Sequence, residues 1–236
     1  MESFQRFLLF APVILLSMVA HEYAHAYAAL KQGDDTAQRL GRVTWNPLKH
    51  IDPFMTVLMP LLTFFGSKGT FIFGGAKPVP VDPRNYRNYR SGDIIVSLAG
   101  IATNFVLAIG LVGVVALIGL AGRALPALSS TWFLLQVMGA YGIFINLLLA
   151  VFNLLPVPPL DGSHVVKHFL PPAWAIQYEK LQRAGFLIIL LLVMFGGPIF
   201  DFWLQPVRIL NASAADLLAP LLVDGPWMMW MGSWVR

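Results

Sequence analysis

"SMVAHEYAHAYAAL", Ser17 to Leu30, sets two histidines and a glutamate inside a run that otherwise reads as a membrane-spanning helix. His21 and His25 are four residues apart, so on a helix their imidazoles lie one turn apart on the same face. From that face both can grip a single Zn2+, with Glu22 beside them as a general base. Neutral imidazole suits zinc, and zinc suits hydrolysis, because it lowers the pKa of a water it holds to about 7. Polar and ionisable side chains at membrane depth cost several kcal/mol unless a partner compensates them, so their burial itself asks for a cation. Two blander readings compete. A soluble helix can carry the same pattern by accident. A secretory signal peptide would also pair a basic residue, Arg6, with an apolar run, and Ala24-His25-Ala26 imitates its cleavage site. The apolar run continues past that site through Leu30, and Glu22 sits awkwardly just before it.

The rest of the chain supports a membrane setting. Of its 236 residues 57% are hydrophobic and 12% charged, with a mean hydropathy of +0.69, whereas soluble domains carry about 25% charged residues. There is no cysteine, which excludes disulfides, thiolate metal sites and cysteine nucleophiles, and leaves His, Asp and Glu as metal ligands. The net charge of +4 does not point to nucleic acid, since no polar segment interleaves Lys/Arg with aromatics. The basic residues lie between apolar stretches, which fits contact with anionic headgroups.

Along the chain, an apolar stretch from about Phe4 to Leu30 is long enough to span about 30 Å of hydrocarbon. Pro53 to Phe65 is apolar, short and interrupted by Pro60, which reads as a re-entrant or interfacial segment. "TFIFGGAKPVPVDP", Thr70 to Pro83, has short β-like runs broken by glycines and prolines, as in an edge hairpin or extended loop. Strong helical spans are expected over Ile94 to Leu120, Trp132 to about Leu155, and Ala184 to about Leu204. The tail from Leu210 onward reads as a sixth short span or as a Trp-rich interfacial helix, with Trp227 to Trp234 as its anchor.

Charge gives a topology. Residues 31 to 92 carry nine Lys/Arg and residues 160 to 183 carry three, so with a re-entrant Pro53 to Phe65 twelve of the sixteen lie on one side. The positive-inside rule makes that side cytoplasmic.

A catalytic zinc needs a third protein ligand and an open position. In "NLLPVPPLDG", Asn153 to Gly162, three prolines must break the helix, and unwound backbone at membrane depth implies a protein-lined or wet cavity. Asp161 stands at that break and is favoured over His164. Asp52, Asp82 and Asp93 lie in loops or at helix ends, where solvated or capping roles are the default. His50 is expected to be solvated or headgroup-facing. Asn104 reads as interhelical glue or a support for the site, and Gly100 as a point of close helix packing.

"HEYAH" in an apolar helix, followed by "NLLPVPPLDG", resembles the site-2 protease family of intramembrane zinc metalloproteases, whose second motif reads N-x-x-P-x-x-x-L-D-G. Asn153, Pro156, Leu160, Asp161 and Gly162 match it in order and spacing. "FGGAKPVPVDP" and "SLAGIATNFVLA" also resemble the family's connecting segments, so the likeness covers roughly residues 7 to 170. It implies one Zn2+ per chain held by His21, His25 and Asp161, Glu22 as general base and acid, and Asn153 at the active site. It further implies substrate binding by strand addition along Phe71 to Val81; Phe71, Ile72 and Phe73, with Asn104, are the substrate-contact candidates. Many family members carry a PDZ or CBS domain, and this chain shows neither.

The resulting expectation is an all-α polytopic membrane protein of about four to six transmembrane helices, with a re-entrant segment and a short β-like edge hairpin. Residues 1–236 form a single membrane-embedded domain, with a catalytic core over about 4–170 and C-terminal helices over about 184–236. The activity expected is hydrolysis of a peptide bond in or next to a transmembrane segment of a protein substrate, in a prokaryotic cytoplasmic membrane, within regulated intramembrane proteolysis. The alternative is a divalent-metal transporter using the same His/Asp cluster, which would tolerate Glu22→Gln and should carry inverted repeats. No such repeat is visible in the sequence. A catalytically dead scaffold is disfavoured because all ligands and the base are present.

Overall fold

A computed structural model describes residues 2–67 and 73–227 of the chain. Three of its helices are long and apolar enough to cross a membrane, within Phe4–Gln32, Tyr89–Ala124 and Pro126–Asn153, and no strand is present among the described residues. This is an all-α membrane protein.

Helix α1 (Glu2–Gln32) carries the His-Glu-His stretch. Its C-terminus is closed by Gly33 at φ 113°, with Gly33 N–H donating to Leu30 O and Asp34 N–H to Ala29 O. That is the Schellman arrangement, in which glycine takes the left-handed position without a Cβ penalty. Pro53–Leu58 forms a π-helical turn whose N-cap, Asp52, accepts from Phe54 and Met55 N–H, and it runs into α2 (Met59–Gly66). The whole segment, Pro53–Gly66, is too short to span the bilayer.

Helix α3 (Tyr89–Ala124) is capped by the Asn88 side chain, which accepts from Ser91 N–H. Helix α4 (Ser129–Asn153) stops where Pro156, Pro158 and Pro159 follow, because proline removes the donor and clashes with the preceding turn. The short α5 (Asp161–Lys167) follows the break, so Asp161 opens a new helix. The core lies where α3, α4 and a C-terminal helix meet: Ala108 and Val115, Ile143, Leu147 and Val151, then Val207 and Leu218.

Three expectations change. The span expected over Ala184 to Leu204 is broken: beyond α6 (Pro172–Lys180) come α7 (Gly185–Phe195), α8 (Gly197–Trp203) and α9 (Gln205–Leu218). Gly196, Gly197 with φ 37° and Pro198 interrupt the apolar run, and none of the pieces is long enough to cross alone. Among the described residues three helices are thus long enough to cross alone, accompanied by shorter apolar ones. Second, the β-like hairpin does not form over 73–82, which is extended chain without strand pairing. Its donors go elsewhere: Phe73 N–H to Thr63 Oγ1, Gly75 N–H to Met55 O and Lys77 N–H to His50 O, while Pro78 and Pro80 have no N–H to give. Phe71 and Ile72 lie outside the described residues, as does the tail cluster beyond Trp227. Third, His50 is fully buried, with its Nε2 3.0 Å from Thr44 O. The loop that holds it folds inward on residues 73–82 instead of lying in solvent.

Candidate metal centre

The 3.6-residue period of α1 places His21 and His25 on the face turned to α3 and α5. Their Nε2 atoms are 2.9 Å apart, and Asp161 Oδ2 lies 3.1 Å from one and 3.3 Å from the other. Both histidines are buried, at 8% and 9% exposure. His164, the rival third ligand, is turned away, with Nδ1 3.7 Å from Asp93 Oδ1.

The other ring nitrogens decide what the triangle wants. His21 Nδ1 is 2.6 Å from Asn104 Oδ1, and His25 Nδ1 is 2.8 Å from the Val96 carbonyl oxygen. Both partners can only accept, so each neutral imidazole carries its proton on Nδ1 and presents a lone pair at Nε2, a tautomer assigned from the hydrogen bonds. Two lone pairs thus face a carboxylate oxygen that itself has no hydrogen-bond donor. Three converging acceptors in a buried place repel one another unless a cation stands between them. The triangle is the size that three ligands about 2 Å from one centre span, and the anchored Nδ1–H groups are the usual outer partners of zinc-bound histidines. The donor set therefore fits Zn2+.

Space for the pair is left by Gly100 of α3. A Cβ there would stand 2.6 Å from His21 Nε2 and from His25 Nε2. Asn104, one turn further along α3, is fully buried, and its amide N–H donates to Asn146 Oδ1 at 2.7 Å. It stands behind His21 and offers no open surface to a substrate, which corrects its placement among substrate-contact candidates.

Glu22 points to the extended loop: the Val79 N–H donates to its Oε2 at 2.7 Å. Arg42 fixes that loop, its guanidinium donating to the carbonyls of Lys77 at 2.9 Å and Pro78 at 3.3 Å. Asn153, at the end of α4, is half-buried, and its side-chain amide donates to Leu149 O at 2.9 Å; it stands outside the donor triangle. Phe73 is held by Thr63.

The helix carrying Asp161 is moored to α3 by a buried ion cluster. Asp93 Oδ2 accepts from Lys167 Nζ and lies equally close to His168 Nε2, both at 2.8 Å. Asp93 is only 3% exposed, so it is neither solvated nor a helix cap, in contrast to Asp52 and Asp82. Sequence reasoning gave Asp93 and Gly100 only default roles and passed over Arg42 and Asn146. Asp93 and Asn146 signalled themselves only as a lone charge and a lone amide beside or in an apolar run.

The pattern of Peptidase family M50 matches residues 9–138 and 126–196 of the chain. The chain belongs to this family, that of the site-2 proteases. Among curated M50 relatives, it is 36% identical over 205 residues to the Bacillus subtilis protein named "Putative zinc metalloprotease YwhC", covering 87% of each chain. It is 32% identical over 191 residues to the Mycolicibacterium smegmatis protein Rip2, named in the same terms, covering 80% of this chain and 67% of the relative. No solved structure matches it significantly. The M50 chain is thus a zinc metalloprotease of the site-2 protease type, and its triangle of donors is where such an ion fits.

Proposed function

We propose that this M50 peptidase is an intramembrane endopeptidase, cleaving a peptide bond within or next to a transmembrane segment of a protein substrate. The observation that carries the reading is the position of the donor triangle: two of its three donors lie on a helix long and apolar enough to cross a bilayer, and the non-ligating Glu22 follows His21 directly in sequence. His21, His25 and Asp161 would hold the ion. When bound, zinc supplies a Lewis acid that polarises a carbonyl and activates water near neutral pH.

The chain's own residues do the rest. Glu22 takes a proton from the attacking water at its carboxylate and returns it to the leaving amine. The Val79 N–H, donating to Oε2, holds that carboxylate in place. Asn153, at the end of α4, steadies substrate backbone or the developing oxyanion. The extended chain around Phe73 gives an unwound substrate segment a place to lie. Pro53 to Phe65 re-enters the membrane from the side it starts on. The Lys/Arg bias, at least twelve of sixteen on one side, supports a catalytic side facing the cytoplasm of a prokaryotic cell, in regulated intramembrane proteolysis, with residues 1–236 acting as one domain.

The test is co-reconstitution of the purified chain with a tagged single-span substrate, with the products mapped by mass spectrometry. Cleavage within or beside the span, abolished by a zinc chelator and restored by zinc, is the expected result. Cleavage only in soluble loops, or zinc movement across sealed vesicles without cleavage, would overturn the reading.

A further inference from the structure

Behind the metal centre a chain of side chains crosses three helices. Ser17 of α1, Asn104 of α3 and Asn146 of α4 are 4%, 0% and 1% exposed, and of the three only Asn104 touches a donor residue, at the Nδ1 of His21 that faces away from the triangle. Buried amides between membrane helices are ordinarily read as glue. Here the direction of every hydrogen bond is fixed, and the direction carries information.

It starts from main-chain carbonyls, which only accept. Asn146 lies 2.8 Å from Gly142 O, so the atom it turns there must be its NH2. The same NH2 donates to Ser17 Oγ at 2.9 Å, which is free to accept because the Ser17 hydroxyl proton is given to Val13 O at 2.9 Å. Asn146 Oδ1 is thereby turned to Asn104, which must answer with its own NH2, at 2.7 Å. A weaker contact of that NH2 with Ser17 O at 3.4 Å points the same way. Asn104 Oδ1 is left facing His21 Nδ1 at 2.6 Å, and the only atom that can complete this contact is a proton on Nδ1. With Nδ1 protonated, the neutral ring has its lone pair at Nε2, on the side of His25 and Asp161.

We propose that Asn146, acting through Asn104, is a positioning residue that sets the tautomer of His21 before any metal arrives. Without the anchor at Asn146, Asn104 is free to turn its amide over and present NH2 to His21, which selects the opposite tautomer and puts a proton where the metal must bind. Asn146 stands two hydrogen bonds from the imidazole and touches no reacting group. The inference rests on His21 being a metal ligand.

The experiment uses the full chain in detergent. Imidazole 15N NMR on zinc-stripped wild type, with His21 assigned by the signal lost in His21→Asn, reads the tautomer directly. Chelator competition then reads zinc affinity in wild type, Asn146→Asp and Asn146→Leu, alongside thermal unfolding of each zinc-free protein. Asp keeps an acceptor facing Asn104, whereas Leu keeps only the volume. The expected result is Nδ1–H at His21 in wild type, with zinc affinity falling about 10- to 100-fold in Asn146→Leu, as for other outer-shell losses, and only slightly in Asn146→Asp. A proton on Nε2 in the wild type overturns the proposal, and that reading needs no folded variant. So does unchanged affinity in Asn146→Leu, or equal loss in both variants in step with their unfolding. If His21→Asn itself binds zinc as wild type does, the metal reading beneath the proposal fails instead.

Discussion

Gly100 of α3 lies against the imidazole of His21: a Cβ at Gly100 would stand 2.6 Å from both Cε1 and Nε2 of that ring. A methyl group there must push the rings out of register with Asp161, and overpacking of this kind costs about 1–3 kcal/mol. Gly100→Ala is therefore expected to keep its helical circular dichroism and to lose zinc affinity by roughly 5- to 150-fold, that energy taken as a binding loss. Elemental analysis after dialysis against a weak chelator checks it. Full zinc retention would show that the glycine serves packing alone.

The loop that reaches Glu22 offers a separate handle. Val79 gives Glu22 a backbone N–H, and a hydrogen bond to a charged group is worth about 1.5–3 kcal/mol. Val79→Pro removes that donor, while Val79→Ala keeps it. The proline variant should cleave at least about tenfold more slowly with normal zinc content, and the alanine variant should stay close to wild type. Equal activity in the two would detach the loop from the base.

Asp34, just beyond α1, ties the helix end to the segment ahead of α3. It is fully buried and accepts from the Thr36 hydroxyl and N–H, the Asn85 amide and the Asp82 N–H. Burial alone would raise its pKa, but these hydrogen bonds together hold it below the usual carboxylate range. The folded pKa is thus below the unfolded one, so the stabilisation is fully present above about pH 4–5 and fades as pH falls toward the folded value. Thermal unfolding in detergent should show wild type losing stability on acidification below about pH 4 more steeply than Asp34→Asn. Parallel curves would remove Asp34 from the account.

Much of the centre was legible in the sequence because its signals are local. The four-residue spacing of His21 and His25 survives any packing of α1, and the proline break that frees Asp161 is written into Pro156, Pro158 and Pro159. Gly100 and Asn104 were legible as close packing and as interhelical glue or site support, but Asn146 was opaque because its role depends on which faces of α3 and α4 meet α1, and an apolar helix does not disclose its buried face. The apolar run after Ala184 concealed a break that Gly196, Gly197 and Pro198 mark locally, since hydropathy outweighed three small punctuating residues. His50 was misjudged for the opposite reason: a polar, basic loop reads as exposed until the chain it covers is known. The β-like pattern around Phe73 had the residues of a strand but, among the described residues, no edge to pair with.

The proposed mechanism rests most heavily on Glu22, which lies outside the group His21, His25 and Asp161. Glu22→Gln keeps the shape and can still accept the Val79 N–H through its amide oxygen, while removing the basic carboxylate. Zinc content and cleavage of a reconstituted single-span substrate, measured on the same preparations of wild type and variant, separate binding the ion from moving the proton. The account predicts equal zinc and cleavage lowered by about 10² or more, the low end for loss of a general base. A variant that cleaves at close to the wild-type rate would contradict it.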